Sequence, residues 1–275
     1  MRYCLLKIAM KRFYILFTIA SCAALSAMGW SQKGHDVTAY IAEQHLTPTT
    51  AAAVDSILEG RSIVYWSNWL DNASYQSELR YTKTWHYKNI DAEVAYEDAP
   101  LNPDGDIVTA LQAMTARLSA GDTVAINDSR IALRIVIHLM GDLHMPLHLG
   151  HASDRGGNEI KGKFFDREVK LHSAWDSNLP EAAHKWSYTE WQQQIDRPAT
   201  YDADAIIAGD FDTWARESVE IASRVYLYFR PGFKISYNDI ARWAPTIEQQ
   251  FLRGGLRLAH VLNLIYDPEY RASHR

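Results

Sequence analysis

Apolar residues recur at steps of three and four positions along most of this chain, which is the period of an amphipathic helix. The pattern predicts helices over residues 106–119, 128 to about 145, 203–229 and 245–266. Another helix is predicted to begin after Thr47 and to stop at Gly60, because Thr47-Pro48 combines an N-cap with proline at the first helical position. The chain is therefore expected to fold mainly as α-helix.

Two regions depart from this period. Residues 158–172 alternate charged and apolar side chains around Phe165-Asp166-Arg167, which predicts a small β-hairpin. Residues 91–105 are acidic, contain proline and show no period, so we expect a surface loop there. No internal repeat, low-complexity linker or shift in composition marks a domain boundary. We expect one mainly α-helical domain over residues 30–275.

Residues 1–29 have the layout of a secretory signal peptide. Four basic residues and no acidic residue are followed by an apolar run over residues 13–25 and by small residues. Cleavage after Ala27-Met28-Gly29 would make Trp30 the mature N-terminus, whereas Ile19-Ala20-Ser21-Cys22 resembles a lipoprotein box that would keep a lipidated Cys22. Both alternatives predict export, to the periplasm or the medium. No later stretch is apolar enough to span a bilayer, so stable membrane association is expected only if Cys22 is lipidated.

The mature chain is expected to be strongly acidic. The sequence has 28 basic and 33 acidic residues, and removal of residues 1–29 would take away four basic and no acidic residues, which leaves a formal charge of -9. Such a chain does not favour a nucleic-acid binder that depends on a basic stripe. We therefore expect bound divalent cations, rather than lysine or arginine, to hold any phosphate substrate. Both cysteines, Cys4 and Cys22, precede Trp30, so a chain that starts there has neither disulfides nor cysteine-bound metal.

Histidine and aspartate cluster at metal-ligand spacing between His138 and Asp176. His138 and Asp142 are four residues apart, so they share one face of a helix, which is expected to end before His148. His172 and Asp176 repeat the four-residue spacing. Ionisable groups in a largely apolar helix and its exit are costly unless they are paired or coordinated. Imidazole and carboxylate ligands are typical of zinc, so the segment predicts a metal site.

Other candidate ligands carry less signal when each is taken alone. His86, in the aromatic stretch Thr84-Trp85-His86-Tyr87, is more typical of a hydrogen-bonded core histidine, and Asp71 of a residue that ends a helix. The signal for His35 as a metal ligand is weaker still when this residue is taken alone. His144 lies on another helix face than Asp142, where it can support a ligand without being one. The remaining histidines are expected at the surface or in polar niches: His45, His151, His184, His260 and His274.

Together these residues resemble the zinc-dependent single-strand nucleases of fungi and plants, the type I or S1/P1 nucleases, which are related in fold to bacterial zinc phospholipase C. The resemblance runs from Trp30 to about Asp176 and implies three zinc ions in the cleft of a mainly helical domain. The implied ligands of the first ion, which are also the predicted catalytic residues, are Asp71, His86, His138 and Asp142. The implied ligands of the second ion are His148, His172 and Asp176. The third ion would be held by the amine and carbonyl oxygen of Trp30 and by His35, with Asp142 as a bridge to the first.

The resemblance also implies an exported endonuclease that hydrolyses phosphodiester bonds of single-stranded RNA and DNA and leaves 5′ phosphates; 3′-nucleotidase activity stays open. A base would stack on Tyr87, and its edge would contact Asn89, Gly157 and Asn158. The best-known members have aspartate at the position of Asn89 and a lysine near Asn72-Ala73-Ser74, so base preference and phosphate binding are expected to differ. No protein partner is indicated.

Two alternatives from other classes stay open. The same ligands could serve a zinc-dependent phospholipase C, whose substrate also contains a phosphodiester. Asp176 in place of glutamate, together with Tyr87 and Asn158, favours nucleic acid. The cluster could also belong to a structural or zinc-storing protein without catalysis.

Overall fold

Helices form most of the computed structural model, which describes residues 30–121 and 126–274. The helices are, in chain order, α1 (Gln32–Gln44), α2 (Pro48–Ile57), α3 (Ile63–Trp66), α4 (Trp69–Ala73), α5 (Ile107–Ser119), α6 (Ile126–Leu143), α7 (Leu171–Ser173), α8 (Leu179–Ala183), α9 (Tyr188–Ile195), α10 (Ala203–Ile207), α11 (Phe211–Tyr228), α12 (Tyr237–Tyr266) and α13 (Pro268–Ser273). Tighter 3-10 turns cover Ser77–His86, Tyr96–Asp98, Pro146–Leu149 and Pro198–Thr200, and Ala174–Asn178 forms a π turn. The predicted mainly α-helical class is confirmed. The predicted signal peptide lies outside the described residues.

Local capping explains why two predicted helices begin where they do. Thr47 Oγ1 accepts a hydrogen bond from the Thr50 amide at 3.2 Å, which caps α2 as expected. Before α5, the Asp106 side chain accepts a hydrogen bond from the Thr109 amide at 3.0 Å, and the Asp106 amide donates to Thr109 Oγ1 at 2.8 Å. This reciprocal pair satisfies amides that a helix start otherwise leaves unbonded.

Two helix predictions are wrong in their limits. The helix predicted over residues 203–229 is broken between α10 and α11, because Gly209 adopts a φ of +94° and Asp210 caps α11 through the Thr213 amide at 2.8 Å. The helix predicted to begin at Pro245 begins at Tyr237, with Pro245 inside it. Its start is fixed by a capping box in which the Ser236 amide donates to Asp239 Oδ2 at 2.7 Å.

The sequence pattern does not predict α1, the helix that carries His35. Its buried side includes Gly34, His35, Thr38 and Ala39, so small and polar residues hide the apolar period. The predicted range 128–145 is shifted, since α6 runs over Ile126–Leu143. The predicted loop over residues 91–105 contains the short Tyr96–Asp98 turn but no longer element.

Two clusters of buried side chains form the core. In the first, α5 and α6 pack against each other, and the buried residues include Leu111 and Leu143. The second is largely aromatic and contains Trp30 and Phe251. Each large apolar side chain that is fully buried contributes about 1.5–3 kcal/mol to folding. Because the chain passes from the first cluster at Leu143 to the second at Met145, the segment that carries the candidate ligands lies at their boundary.

The predicted hairpin is present but belongs to a three-stranded sheet. Strand β1 (Lys161–Phe164) pairs antiparallel with β2 (Arg167–Lys170). It also pairs in parallel with β3 (Lys234–Ile235), so the strand order is β2-β1-β3. Strand β3 comes from the segment between α11 and α12, a long-range pairing that the alternation over residues 158–172 does not reveal.

Candidate metal centre

Two histidines and two aspartates that are distant in sequence meet in the interior. Asp142 Oδ2 lies 2.9 Å from His86 Nδ1 and 3.1 Å from His138 Nε2. Asp71 Oδ1 lies 3.5 Å from His138 Nε2. All four side chains are buried. The ligand atoms of His86, His138 and Asp142 lie within 4.8 Å of one another, so this set can hold a metal ion.

Three elements bring these side chains together. Helix α6 carries His138 and Asp142 one turn apart on the same face, as their spacing predicts. Asp71 comes from the short helix α4, and His86 is the last residue of the 3-10 turn Ser77–His86. Such a long 3-10 segment is uncommon, and it delivers His86 to the centre while Tyr87 stays exposed.

His35 from α1 extends the centre on the other side of Asp142. Its Nε2 atom lies 3.3 Å from Asp142 Oδ1, and its ring stacks on that of His138 with centroids 4.1 Å apart. The ligand atoms of His35, Asp71 and His138 form a second set within 4.8 Å. Gly141 makes room for this ring, since a Cβ at Gly141 would lie 2.5 Å from His35 Nδ1.

The remaining predicted ligands lie beside these sets. The rings of His148 and His172 stack with centroids 5.3 Å apart, and His148 Nδ1 lies 3.6 Å from Asp142 Oδ1. Asp176 is buried in the π turn, and its carbonyl accepts a hydrogen bond from the Ser31 amide at 3.1 Å. This bond places the buried Trp30 next to the centre. Within the described residues, His148, His172 and Asp176 are not gathered within 4.8 Å as a set of three.

Backbone carbonyls fix the orientation of three of the histidine rings. Nδ1 of His138 donates to the Ser67 carbonyl at 2.7 Å, and Nδ1 of His148 donates to the His86 carbonyl at 2.6 Å. Nδ1 of His172 donates to the Gly156 carbonyl at 2.7 Å. Metal-binding histidines characteristically use one ring nitrogen in this way, which leaves the other nitrogen for the ion.

The electrostatics of the centre favour a cation. His86 Nε2, Asp142 Oδ1 and Asp176 Oδ1 are buried without a hydrogen-bond partner in the described part of the chain, and each such atom costs about 1–3 kcal/mol if it stays unsatisfied. Burial, together with the nearby Asp142 and Asp71 carboxylates, raises the pKa of Asp176 well above its ordinary value. Burial alone would lower the pKa of His138, but the same two carboxylates raise it to about 9. The donor set therefore fits a bound metal ion.

A cavity of about 380 Å³ opens onto the centre. The candidate ligands His86, His148 and His172 line it. Its other lining residues include three predicted substrate contacts, namely Tyr87, Asn89 and Asn158. The fourth predicted contact, Gly157, is absent from this lining; a Cβ at Gly157 would approach the His172 amide nitrogen to 3.3 Å.

The cavity presents an aromatic ring and two side-chain amides. Tyr87 is 37% exposed, so its ring is accessible. Asn89 Oδ1 is buried without a partner in the described residues, and Asn158 Nδ2 donates to the Arg155 carbonyl at 2.9 Å. Asn158 therefore keeps its side-chain oxygen available to accept a hydrogen bond.

Two cations in this cavity are not predicted from the sequence. Lys88 is neutralised by Asp106, with Nζ 2.8 Å from Oδ2. Arg155 has an exposed side chain and a left-handed backbone with a φ of +58°, which is held by the bond from Asn158. Its place directly before Gly156-Gly157 is the signal that a turn here presents a side chain to the cavity.

His144 is buried but points away from the centre. Its Nδ1 donates to the Met140 carbonyl at 2.8 Å, and its Nε2 accepts a hydrogen bond from Arg257 Nη1 at 3.0 Å. Burial and the Arg257 guanidinium hold the pKa of His144 well below its ordinary value. Two other histidines pair with carboxylates elsewhere, His45 with Asp196 and His184 with Glu248.

Comparison with known proteins settles the family. A family model described as S1/P1 Nuclease matches residues 30–267, which is most of the chain. The chain belongs to the S1/P1 nuclease family. The resemblance inferred from the ligand spacings is thereby confirmed, and the chain is a nuclease that hydrolyses phosphodiester bonds.

Curated relatives of this S1/P1 nuclease match over nearly their whole length. Endonuclease 2 of Arabidopsis thaliana is 28% identical over 274 residues, which cover 89% of this chain and 93% of the relative. Nuclease S1 of Aspergillus oryzae is 28% identical over 274 residues, with 86% and 92% covered. Nuclease P1 of Penicillium citrinum is 28% identical over 275 residues, with 87% and 99% covered.

Among the described helices, none combines the length and the apolar character needed to cross a bilayer.

Proposed function

We propose that this S1/P1 nuclease is an exported, zinc-dependent endonuclease that cleaves single-stranded RNA and DNA and leaves 5′ phosphates. The observation that carries the proposal is the pair of buried histidine and aspartate sets next to a cavity with an accessible aromatic ring. Zinc suits imidazole and carboxylate ligands better than magnesium or calcium does. Bound zinc would supply positive charge beside the phosphate and lower the pKa of the attacking water.

We assign the predicted ligands to three zinc ions. The first would be held by Asp71, His86, His138 and Asp142, which we also take as the catalytic residues. The second would be held by His148, His172 and Asp176, and the third by Trp30 and His35. Asp142 is suited to be shared, because its Oδ2 faces His86 and His138 while its Oδ1 faces His35.

The residues of the cavity would select unpaired strands. A base stacked on the exposed Tyr87 ring contributes about 1–3 kcal/mol to binding, and a base held inside a duplex cannot reach this ring without being flipped out. Asn89 and Asn158 offer amide oxygens to the base edge, and Asn89 can also donate. Gly157 would support the turn that presents Asn158.

Removal of residues 1–29 would be part of making the site. An α-amine has a pKa near roughly 8 and can bind metal only once it is free and deprotonated. Trp30 is buried beside the Asp176 segment, so cleavage before Trp30 would place its amine there. Mass spectrometry of the exported protein is expected to show Trp30 as the first residue. A lipidated Cys22 at the N-terminus would contradict this part of the proposal.

Zinc content and substrate choice, measured on the processed protein, test the main proposal. We expect three equivalents of zinc by elemental analysis, faster cleavage of a single-stranded oligonucleotide than of the same sequence as a duplex, and 5′-phosphate products by mass spectrometry. Chelation should abolish cleavage, and added zinc should restore it. Hydrolysis of phosphatidylcholine with no cleavage of nucleic acid, or full activity without zinc, would show that the proposal is wrong.

A further inference from the structure

One face of the small sheet concentrates lysine side chains. Cross-strand pairing places Lys161 opposite Lys170, and Lys163 opposite both Glu168 and Lys234. Because side chains alternate along a strand, these five residues share one face, and all five are exposed. The opposite face is turned inward and includes Phe164 and Ile235, which are buried. We call the four lysines Lys161, Lys163, Lys170 and Lys234 the lysine face.

This arrangement costs stability rather than providing it. Like charges directly opposite each other destabilise a sheet, and both Lys161 with Lys170 and Lys163 with Lys234 are such pairs. Nearby acidic side chains offset little of this repulsion between lysines. Among the described residues, Glu168 is the one acid in these cross-strand pairs. The contact between Lys234 Nζ and Asp166 Oδ1 is 3.7 Å long and highly exposed, which makes it weak.

The lysine face begins next to the candidate metal centre. Strand β2 ends at Lys170, and the candidate ligand His172 follows two residues later. The Leu171 amide donates to the Ile160 carbonyl at 2.8 Å, so the hairpin base is fixed to this segment. The pair Lys161 and Lys170 therefore forms the row nearest the centre, and the second row lies about 7 Å further along the strands.

Local charge here opposes the charge of the whole chain. Acidic residues outnumber basic ones by 33 to 28, and this excess repels a polyanion from most of the surface. The lysine face therefore offers a polyanion a local region of positive charge, next to the candidate centre, on a chain that is acidic overall. The sequence-based expectation assigned phosphate binding to bound divalent cations rather than to lysine or arginine.

We propose that the lysine face binds the phosphate backbone of the substrate strand beyond the nucleotide in the cavity. This rests on the proposed function, because the occupant is the same single strand that the centre cleaves. Lysines that neutralise phosphates of a single strand release counterions, so the logarithm of affinity falls with the logarithm of salt by about 0.7 per neutralised phosphate. A dinucleotide is too short to reach the second row and gains nothing from it.

Steady-state kinetics on two substrate lengths test the proposal. The four lysines are changed together to glutamine, and KM and kcat are measured at several salt concentrations for a long single-stranded oligonucleotide and for a dinucleotide. For the oligonucleotide we expect KM to rise roughly tenfold at low salt and the salt dependence of KM to flatten by about 0.7 for each phosphate that is no longer neutralised. For the dinucleotide, which cannot reach the second row, kcat/KM should fall much less than it does for the oligonucleotide. Replacing the four lysines by arginine should preserve both KM and its salt dependence for the oligonucleotide.

A matched control separates local charge from net charge. Lys161→Gln with Lys170→Gln removes two positive charges, and so does Lys185→Gln with Arg224→Gln at exposed sites outside the sheet. The first pair is expected to raise KM for the oligonucleotide, and the second pair to leave it unchanged. Equal effects of the two pairs would overturn the proposal.

Two further outcomes would also overturn the proposal. One is an unchanged oligonucleotide KM in the glutamine variant while lysine-dependent binding to phosphatidylglycerol vesicles is lost, which would identify an anionic membrane as the partner. The other is a wild-type protein that cleaves neither substrate, which would remove the proposed function itself. Cleavage of both substrates with an unchanged KM in the variant would contradict the lysine face alone.

Discussion

His138 lies in α6 and His144 directly follows the end of that helix, and both are fully buried. Their electrostatic environments are nevertheless opposite. His138 faces the carboxylates of Asp142 and Asp71, which raise its pKa to about 9. His144 faces the Arg257 guanidinium, and its pKa is held well below the ordinary value. The charged groups that face a buried imidazole thus decide between a candidate cation site and a structural hydrogen bond.

Removing the charge on the His138 side should have the largest effect. Asp142→Asn keeps the size of the side chain but removes the carboxylate that faces both candidate ligand sets. We expect hydrolysis to fall about a thousandfold or more and zinc content to decrease, because under the proposed function bound zinc would stabilise charge at the phosphate. Asp239→Asn, at a buried aspartate that caps α12, is the control and should retain zinc. Wild-type activity in Asp142→Asn would remove the basis for assigning the centre.

Filling the space beside His35 should have the next largest effect. In Gly141→Ala the new Cβ would lie 2.5 Å from His35 Nδ1, so the ring has to move from Asp142. Displacement of a ligand by about 1 Å can cost on the order of a hundredfold in rate. The control is Gly254→Ala, whose Cβ would meet a Thr38 methyl group at 3.0 Å on the His144 side. Activity and zinc content should fall only in the first variant, and equal losses would refute the distinction between the two sides.

Disrupting the partner of His144 should affect stability rather than chemistry. Arg257 is buried, donates to the Ile206 carbonyl at 2.8 Å and pairs with Glu217 at 2.6 Å. Arg257→Gln should lower the free energy of unfolding by about 2–3 kcal/mol, because several hydrogen bonds are removed together. Denaturant unfolding and a cleavage assay below the unfolding transition measure the two effects, with the more exposed Arg253→Gln as control. A loss of kcat in fully folded protein would place this network in the catalytic machinery.

The smallest effect is expected at His144 itself. Glutamine can donate to the Met140 carbonyl and accept from Arg257, as the imidazole does. His144→Gln should therefore change stability by about 1 kcal/mol and leave zinc content unchanged. His138→Gln, in contrast, should lose zinc. The comparison fails if elemental analysis gives both variants the same reduced metal content.

Prediction from the sequence succeeded where the determining contacts are local. The four-residue spacing of His138 and Asp142 places both on one helix face whatever the rest of the chain does, and the Thr47 and Asp106 caps lie within three residues of their partners. The approach of Asp71 and His86 is a long-range contact, so spacing alone left it open and only the family resemblance pointed to it. The same limitation explains why β3 was not foreseen.

Averages over the sequence hid two features of the site. The net negative charge argued against lysines as phosphate ligands, although cross-strand register gathers four of them on one face. Helix α1 gave a weak apolar period because its buried side includes glycine, histidine and threonine beside its apolar residues. Residues recruited for close approach and chemistry do not follow the pattern from which helices are recognised.

The burial of Trp30 would link removal of the leader to the time at which this nuclease can damage the nucleic acid of the cell that makes it. Its indole packs edge-on against Phe251 with ring centroids 4.9 Å apart, and the Ser31 amide is tied to the Asp176 carbonyl. Under the proposed processing, a precursor that still carries residues 1–29 would have no free amine at Trp30 to offer to a metal ion. If that processing accompanies export, transcripts of the producing cell would be spared, because the enzyme would gain its third metal site only after the leader is removed.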